Sequence, residues 1–296
     1  MQNPPNPLVG LFDFRNYQEI VKALKEVLTN SLEEIHERLF YEALQEGWNV
    51  LQAARSFEVK PHVFDYHMDR LYKETDAFLF ELVVSHLNPY CLEIDHRVSL
   101  AIEKRFKDSE TIRILAFGDG IGTDSLRFAS MGYEVTYFDL LGYTSTFAKH
   151  RFRRKGLDHH ITVCSQIDEI PRDRFHVVIC REVLEHVDNP IEVISTIWDF
   201  LKLSGIALIT ESFGRIEPAF PTHLLSNKEY EGRTEALFVQ EGFCVLEIYP
   251  DRRPMVFQKA LRSDKSRFES LRRHQGYKFQ NAVRKVGGQL LKKMRF

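Results

Sequence analysis

Apolar residues across positions 17–87 recur at three- and four-residue spacing, as at Ile35, Leu39, Phe40 and Ala43. That is the period of one helix face. Gly47 is the one glycine in the stretch and breaks it. A mixed connector at 88–110 leads to a different rhythm, in which short β-branched runs alternate with helical segments. Strands are expected at 112–117, 134–138, 161–164, 176–180, 205–210, 244–249 and 255–259. Helical patterns separate the first five. The last two lie close together, as antiparallel neighbours do. Strands alternating with helices imply an α/β fold, doubly wound around a mostly parallel seven-stranded sheet. The division expected is a helical domain at 1–108, an α/β domain at 109–262 and a helical extension at 263–296.

Composition changes this picture little. The chain has 296 residues, 44% hydrophobic and 28% charged, with a net charge of −2, which is ordinary for a globular protein. Cys91, Cys164, Cys180 and Cys244 form no C-x-x-C pair, so free thiols in a reducing compartment are expected. No basic flank followed by an apolar core opens the chain, and no run approaches the ~18 apolar residues of a membrane span. A cytoplasmic protein is expected, with peripheral membrane contact left open.

The strongest local chemistry lies at 114–125, ILAFGDGIGTDS. It reads as a strand, a glycine turn and a helix start. Glycines let the backbone turn sharply and approach a ligand closely. Thr123, Asp124 or Ser125 could cap the helix that follows. Asp139 ends the second strand about 20 residues later, where an acid accepts hydrogen bonds from ribose hydroxyls. A dinucleotide oxidoreductase prefers G-x-G-x-x-G, which this loop is not.

With these residues the region 112–259 resembles class I S-adenosylmethionine-dependent methyltransferases. Its core is similar to the ubiquinone-biosynthesis O-methyltransferases. The segment 175–190, FHVVICREVLEHVDNP, looks very like the family's motif after the fourth strand. The resemblance implies a Rossmann-like domain that binds S-adenosylmethionine. Gly118, Asp119, Gly120 and Gly122 would hold the methionine end and Asp139 the ribose. Ser165 or Gln166 would meet the adenine, and Arg181 joins this cofactor-binding set.

Glu182, Glu185 and His186 have the spacing i, i+3, i+4, which places them on one face if the turn is helical. Two carboxylates and an imidazole suit a divalent cation such as Mg2+. The added Glu182 is similar to two metal-using groups, the ubiquinone-biosynthesis O-methyltransferases and the small-RNA 3′-end 2′-O-methyltransferases. The latter supply a further histidine downstream, a place His223 could fill. His186 or His223 could alternatively act as the base that deprotonates an acceptor hydroxyl. The plainer reading is that Glu182 pairs locally while Glu185 and His186 shape the cofactor pocket. The cluster tilts the expected reaction toward O-methylation of a small-molecule or glycan-like acceptor, with RNA methylation as the other enzymatic reading.

Residues 31–72 resemble a Fis-type helix-turn-helix, with Asn49, Gln52, Ala53, Ala54 and Arg55 as the matching core and Glu58 in place of the usual turn glycine. The segment carries four basic and eight acidic residues, a balance of −4. Phosphate contacts dominate DNA affinity, so the charge argues against DNA binding and against a DNA-binding regulator that merely senses S-adenosylmethionine. It favours a helical cap over the active site. The tail at 264–296 has ten basic and two acidic residues, with an apolar stripe of Ala282, Val283, Val286, Leu290, Leu291 and Met294. A cationic amphipathic segment suits an anionic membrane or RNA, or packs as a docked helix with a solvated face.

Overall fold

The computed structural model describes residues 17–106 and 111–260. The basic tail therefore lies outside the described residues. Six helices come first: α1 (Tyr17–Val27), α2 (Leu32–Leu44), α3 (Trp48–Ser56), α4 (Tyr66–Glu74), α5 (Ala77–Ser85) and α6 (Pro89–Phe106). Ser31 and Glu34 form a reciprocal capping box that fixes the start of α2. Glu58 turns the chain after α3 at φ 55°, a conformation glycine adopts more readily. The stretch read as a connector is instead the 18-residue α6. Pro89 is compatible with a first helical turn, and Ile94, Val98, Ala101 and Ile102 form its buried stripe.

The α/β part follows as β1 (Arg113–Phe117), α7 (Thr123–Ser130), β2 (Glu134–Phe138), α8 (Tyr143–Arg154), β3 (Ile161–Cys164), β4 (Phe175–Arg181), α9 (Pro190–Phe200), β5 (Leu201–Thr210), α10 (Thr234–Gln240), β6 (Phe243–Ile248) and β7 (Met255–Lys259). The seven strands lie in the order β3-β2-β1-β4-β5-β7-β6. The first five are parallel, with Ile114 opposite Val135 and Val177. β7 enters antiparallel between β5 and β6, so the expected antiparallel final pair is present.

Successive strand side chains face opposite ways. Leu115 and Phe117 accordingly join one buried layer with Val178 and Ile209, while Ile114 joins another with Val177 and Leu208. β1, buried along Ile114–Phe117, reads as a nearly continuous apolar run for this reason. A third layer unites Leu24, Ile35 and Phe80 of the helical segment with Ile121 and Phe147 of the α/β part. The two parts thus share a core across the end of the sheet that carries the glycine turn. The four cysteines are free, and all except Cys91 are buried. Among the described residues no helix is long and apolar enough to cross a membrane.

Candidate active site

The carboxyl ends of β1, β2, β4 and β5 lie side by side, as their parallel pairing dictates. The crevice outside such strand ends is where open α/β sheets bind ligands. Gly118, Asp119, Gly120 and Gly122 follow β1 there. A Cβ on Gly118 would meet Val183 at 2.5 Å, and one on Gly120 would meet Leu82 of α5 at 2.7 Å. Both glycines have positive φ, so side chains there would meet backbone strain as well as a neighbour.

Asp119 accepts hydrogen bonds from the amides of Asp124 and Ser125, at 3.0 and 2.8 Å. It therefore caps α7 from a position before the helix. Thr123, Asp124 and Ser125, the expected caps, lie inside the helix, whose cap residue Gly122 offers no side chain. Burial and the neighbouring Asp124 push the Asp119 carboxyl up to about 7. Asp139 follows β2 and accepts from the amides of Gly120 and Leu140, at 2.5 and 2.7 Å. Burial pushes it up to about 6, with the two amides opposing. The end of β2 is thereby tied to the glycine turn, an arrangement that suits a cofactor spanning both. Ser165 and Gln166 follow β3, where their amides donate to the Glu169 carboxylate at 2.7 and 3.1 Å.

Beyond β4 the chain does not form the α-helical turn that the i, i+3, i+4 spacing suggests. Glu182 takes φ 50°, and a single 3-10 turn follows at Leu184–His186. The left-handed kink takes Glu182 out of the helical arrangement that the spacing presumes, while its carboxyl still faces that of Glu185. The Glu182 carboxylate takes an ion pair from Arg253 at 2.8 Å and a hydrogen bond from the Ser212 hydroxyl at 2.6 Å. Burial opposes its charge, but Arg253 and Ser212 prevail and hold it well below the usual carboxylate range. In its place Glu185, His186 and His223 come together, each offering a ligand atom within 4.8 Å of the others. Three of the four residues assigned to a cation therefore meet, and Glu182 is spent on Arg253.

The His186 and His223 rings lie 4.7 Å apart, edge to face at 89°. Burial pushes His186 down to about 4, against a hydrogen bond to the Thr222 carbonyl. Burial and His186 push His223 down to about 3. Both imidazoles are neutral at pH 7 and keep a lone pair for a proton or a cation. Both Glu185 oxygens and His223 Nδ1 are buried without a hydrogen-bond partner. Such orphaned atoms are rare in folded proteins. Burial and the charge of Glu182 raise the Glu185 carboxyl well above its ordinary value.

A family model described as a methyltransferase domain matches residues 89–244. The chain belongs to the methyltransferase domain family. Among curated proteins, the ubiquinone biosynthesis O-methyltransferase of Rickettsia felis is 30% identical over 129 residues, 43% of this chain and 51% of that protein. Its counterpart in Rickettsia typhi is 33% identical over 122 residues, 40% of this chain and 49% of that protein. The chain spans about half the length of these curated relatives. Among solved structures, phosphoethanolamine N-methyltransferase 2 of Haemonchus contortus in complex with S-adenosyl-L-methionine is 28% identical. It aligns with a TM-score of 0.41 over 52% of this chain and 38% of that one.

Within this methyltransferase domain Arg181, expected at the cofactor, is paired with two carboxylates. Its Nη1 donates to Asp95 of α6 at 2.7 Å and to Asp124 of α7 at 3.2 Å. Asp95 also pairs with Arg127. All these side chains are largely shielded from water, so the guanidinium ties α6 and α7 to the end of β4. The residues that sequence reasoning missed come from the helical segment and from β7's approach. Tyr72, Leu82 and Arg253 each reach the site from more than 35 residues away in sequence, and no local spacing signals them. A cavity of about 370 Å3 opens elsewhere, among residues that begin β1 and β2 and include Arg113, Glu134 and His160. It lies apart from the glycine turn and the histidine pair.

Proposed function

We propose that this chain is an S-adenosylmethionine-dependent methyltransferase that methylates a hydroxyl group on a small-molecule or glycan-like acceptor. The observation that carries the reading is the meeting of Glu185, His186 and His223 beside the glycine turn, whose Gly120 amide is bonded to Asp139. Gly118, Asp119, Gly120, Gly122 and Asp139 supply the cofactor cradle, with Ser165 and Gln166 at its far end. Methyl transfer from a sulfonium needs alignment above all. A hydroxyl acceptor must also lose its proton, and His186 and His223 are the bases at hand, each with an unprotonated nitrogen at pH 7. The relatives are named as O-methyltransferases, which favours oxygen as the acceptor atom.

The orphaned oxygens of Glu185 and the Nδ1 of His223 support a divalent cation held by Glu185, His186 and His223. Such an ion would lower the pKa of a bound hydroxyl. The helical segment reads as a cap over this site. The charges of α4 are spent on Lys73–Asp69 and Arg70–Glu74 pairs, which leaves a poor surface for duplex DNA. RNA methylation draws on the same histidine cluster and on the basic tail, and contact with an anionic membrane on the tail alone. The deciding experiment is methyl transfer from labelled S-adenosylmethionine to a panel of hydroxylated small molecules, a catechol among them, with oligoribonucleotides in parallel. Label on a hydroxyl of a small molecule supports the reading. Label on the RNA alone overturns it.

A further inference from the structure

The histidine pair is not assembled by the methyltransferase core alone. The loop between α3 and α4 is bonded to the segment after β5. His62 Nδ1 meets the His223 carbonyl at 2.9 Å, the His62 amide donates to the Pro221 carbonyl at 2.7 Å, and the Leu225 amide donates to the His62 carbonyl at 3.0 Å. These bonds fix the approach to the start of α4. Its last turn delivers Tyr72, whose hydroxyl oxygen lies 3.0 Å from Nδ1 of His186, 114 residues away in sequence. The same Nδ1 lies 3.2 Å from the Thr222 carbonyl.

A carbonyl oxygen can only accept. The Thr222 contact is a hydrogen bond only when Nδ1 carries the proton, which is then forked between the Thr222 carbonyl and the Tyr72 hydroxyl oxygen. The remaining nitrogen, Nε2, keeps its lone pair. Partners on one ring nitrogen set what the other can do. The Tyr72 ring is itself fixed. It stacks on Phe78 at 5.0 Å and 4°, and meets the imidazole edge to face at 86°. Two supports thus converge on one ring nitrogen, one from the core and one from the helical segment.

We propose that Tyr72 is a positioning residue of the methyltransferase, which holds His186 in the Nδ1–H tautomer so that Nε2 faces the acceptor. The helical segment is then part of the catalytic centre and not only a cover. The inference rests on the reading of His186 as a working imidazole.

The test compares wild type with Tyr72→Phe, which removes the hydroxyl and keeps the ring on Phe78. Calorimetry with S-adenosylhomocysteine checks that the variant folds and binds cofactor as wild type does. An imidazole 15N–1H correlation spectrum of the full chain at pH 7 reads the tautomer. Wild type should show His186 as Nδ1–H, and Tyr72→Phe should show a mixture with Nε2–H. With a catechol as the acceptor probe, kcat should fall about 10- to 100-fold, as for other groups that orient a working imidazole. KM should stay unchanged. A Tyr72→Phe protein with an unaltered His186 spectrum overturns the inference, as does one with wild-type kcat. If wild type fails to methylate any hydroxylated probe, the proposed reaction falls instead, and the imidazole spectrum alone decides the role of Tyr72.

Discussion

The Cβ that Gly120 lacks would lie 2.7 Å from Cδ1 of Leu82, so a helix of the N-terminal segment rests directly on the glycine turn. Gly120 also holds φ 52°. Gly120→Ala should therefore cost stability twice, through backbone strain of about 1–2 kcal/mol and through overpacking against Leu82. Leu82→Ala should relieve the second part only. A double-mutant cycle by chemical denaturation should return a coupling of about 1 kcal/mol. Additive effects would mean that the two residues do not touch.

In the proposed cofactor cradle Asp139 and Asp119 should together set the pH dependence of binding, since the Asp119 carboxyl is raised to about 7. The Asp139 carboxyl is raised to about 6 by burial, and only the ionised form offers all its lone pairs to ribose hydroxyls. Affinity should be constant above about pH 8. It should weaken about ten-fold per unit for each carboxyl below its raised value, since one pKa unit is about 1.4 kcal/mol. Asp139→Asn should bind weakly and lose the part of the dependence centred near 6. Titration calorimetry between pH 5 and 8 reads both.

Arg181 separates a structural role from a cofactor role. Arg181→Ala leaves Asp95 and Asp124 shielded from water and without this partner, a situation that costs about 3–5 kcal/mol when buried pairs are broken. Thermal denaturation should show the loss. S-adenosylhomocysteine affinity of the folded protein should stay near that of wild type.

Glu182 and Glu185 should part company. Chelation should stop methyl transfer while cofactor affinity holds, and Glu185→Gln should mimic chelation. Glu182→Ala instead removes a shared partner of Arg253 and Ser212, so its main effect should be on stability and not on metal dependence. Full activity in a chelator would end the cation reading and leave the two imidazoles as bases.

The sequence carried the sheet because each strand is a short apolar run with a clear border. All seven expected strands are present, displaced by at most four residues at an end. The largest shift is at β5, where Leu201 continues straight from α9 without a turn signal. The glycine turn and Asp139 were legible because glycine and a terminal acid sit at fixed distances along one βα unit. Glu182 was misplaced because i, i+3, i+4 spacing presumes helical dihedrals, and the left-handed kink at that residue has no glycine to announce it. The cap of α7, Asp119, was missed for a related reason. Its partners, Asp124 and Ser125, carry polar side chains that look like caps themselves. Tyr72, His62 and Arg253 could not be read at all, since each is brought to the site by tertiary packing. Tyr72 looks on the page like one more aromatic residue near a helix end.

The most direct test of the central claim is calorimetric titration of the purified full-length protein with S-adenosylmethionine and with S-adenosylhomocysteine. The account predicts one site per chain with micromolar affinity, about −8 kcal/mol, lost in Gly120→Val. Absence of binding by the wild-type protein to either compound would contradict it.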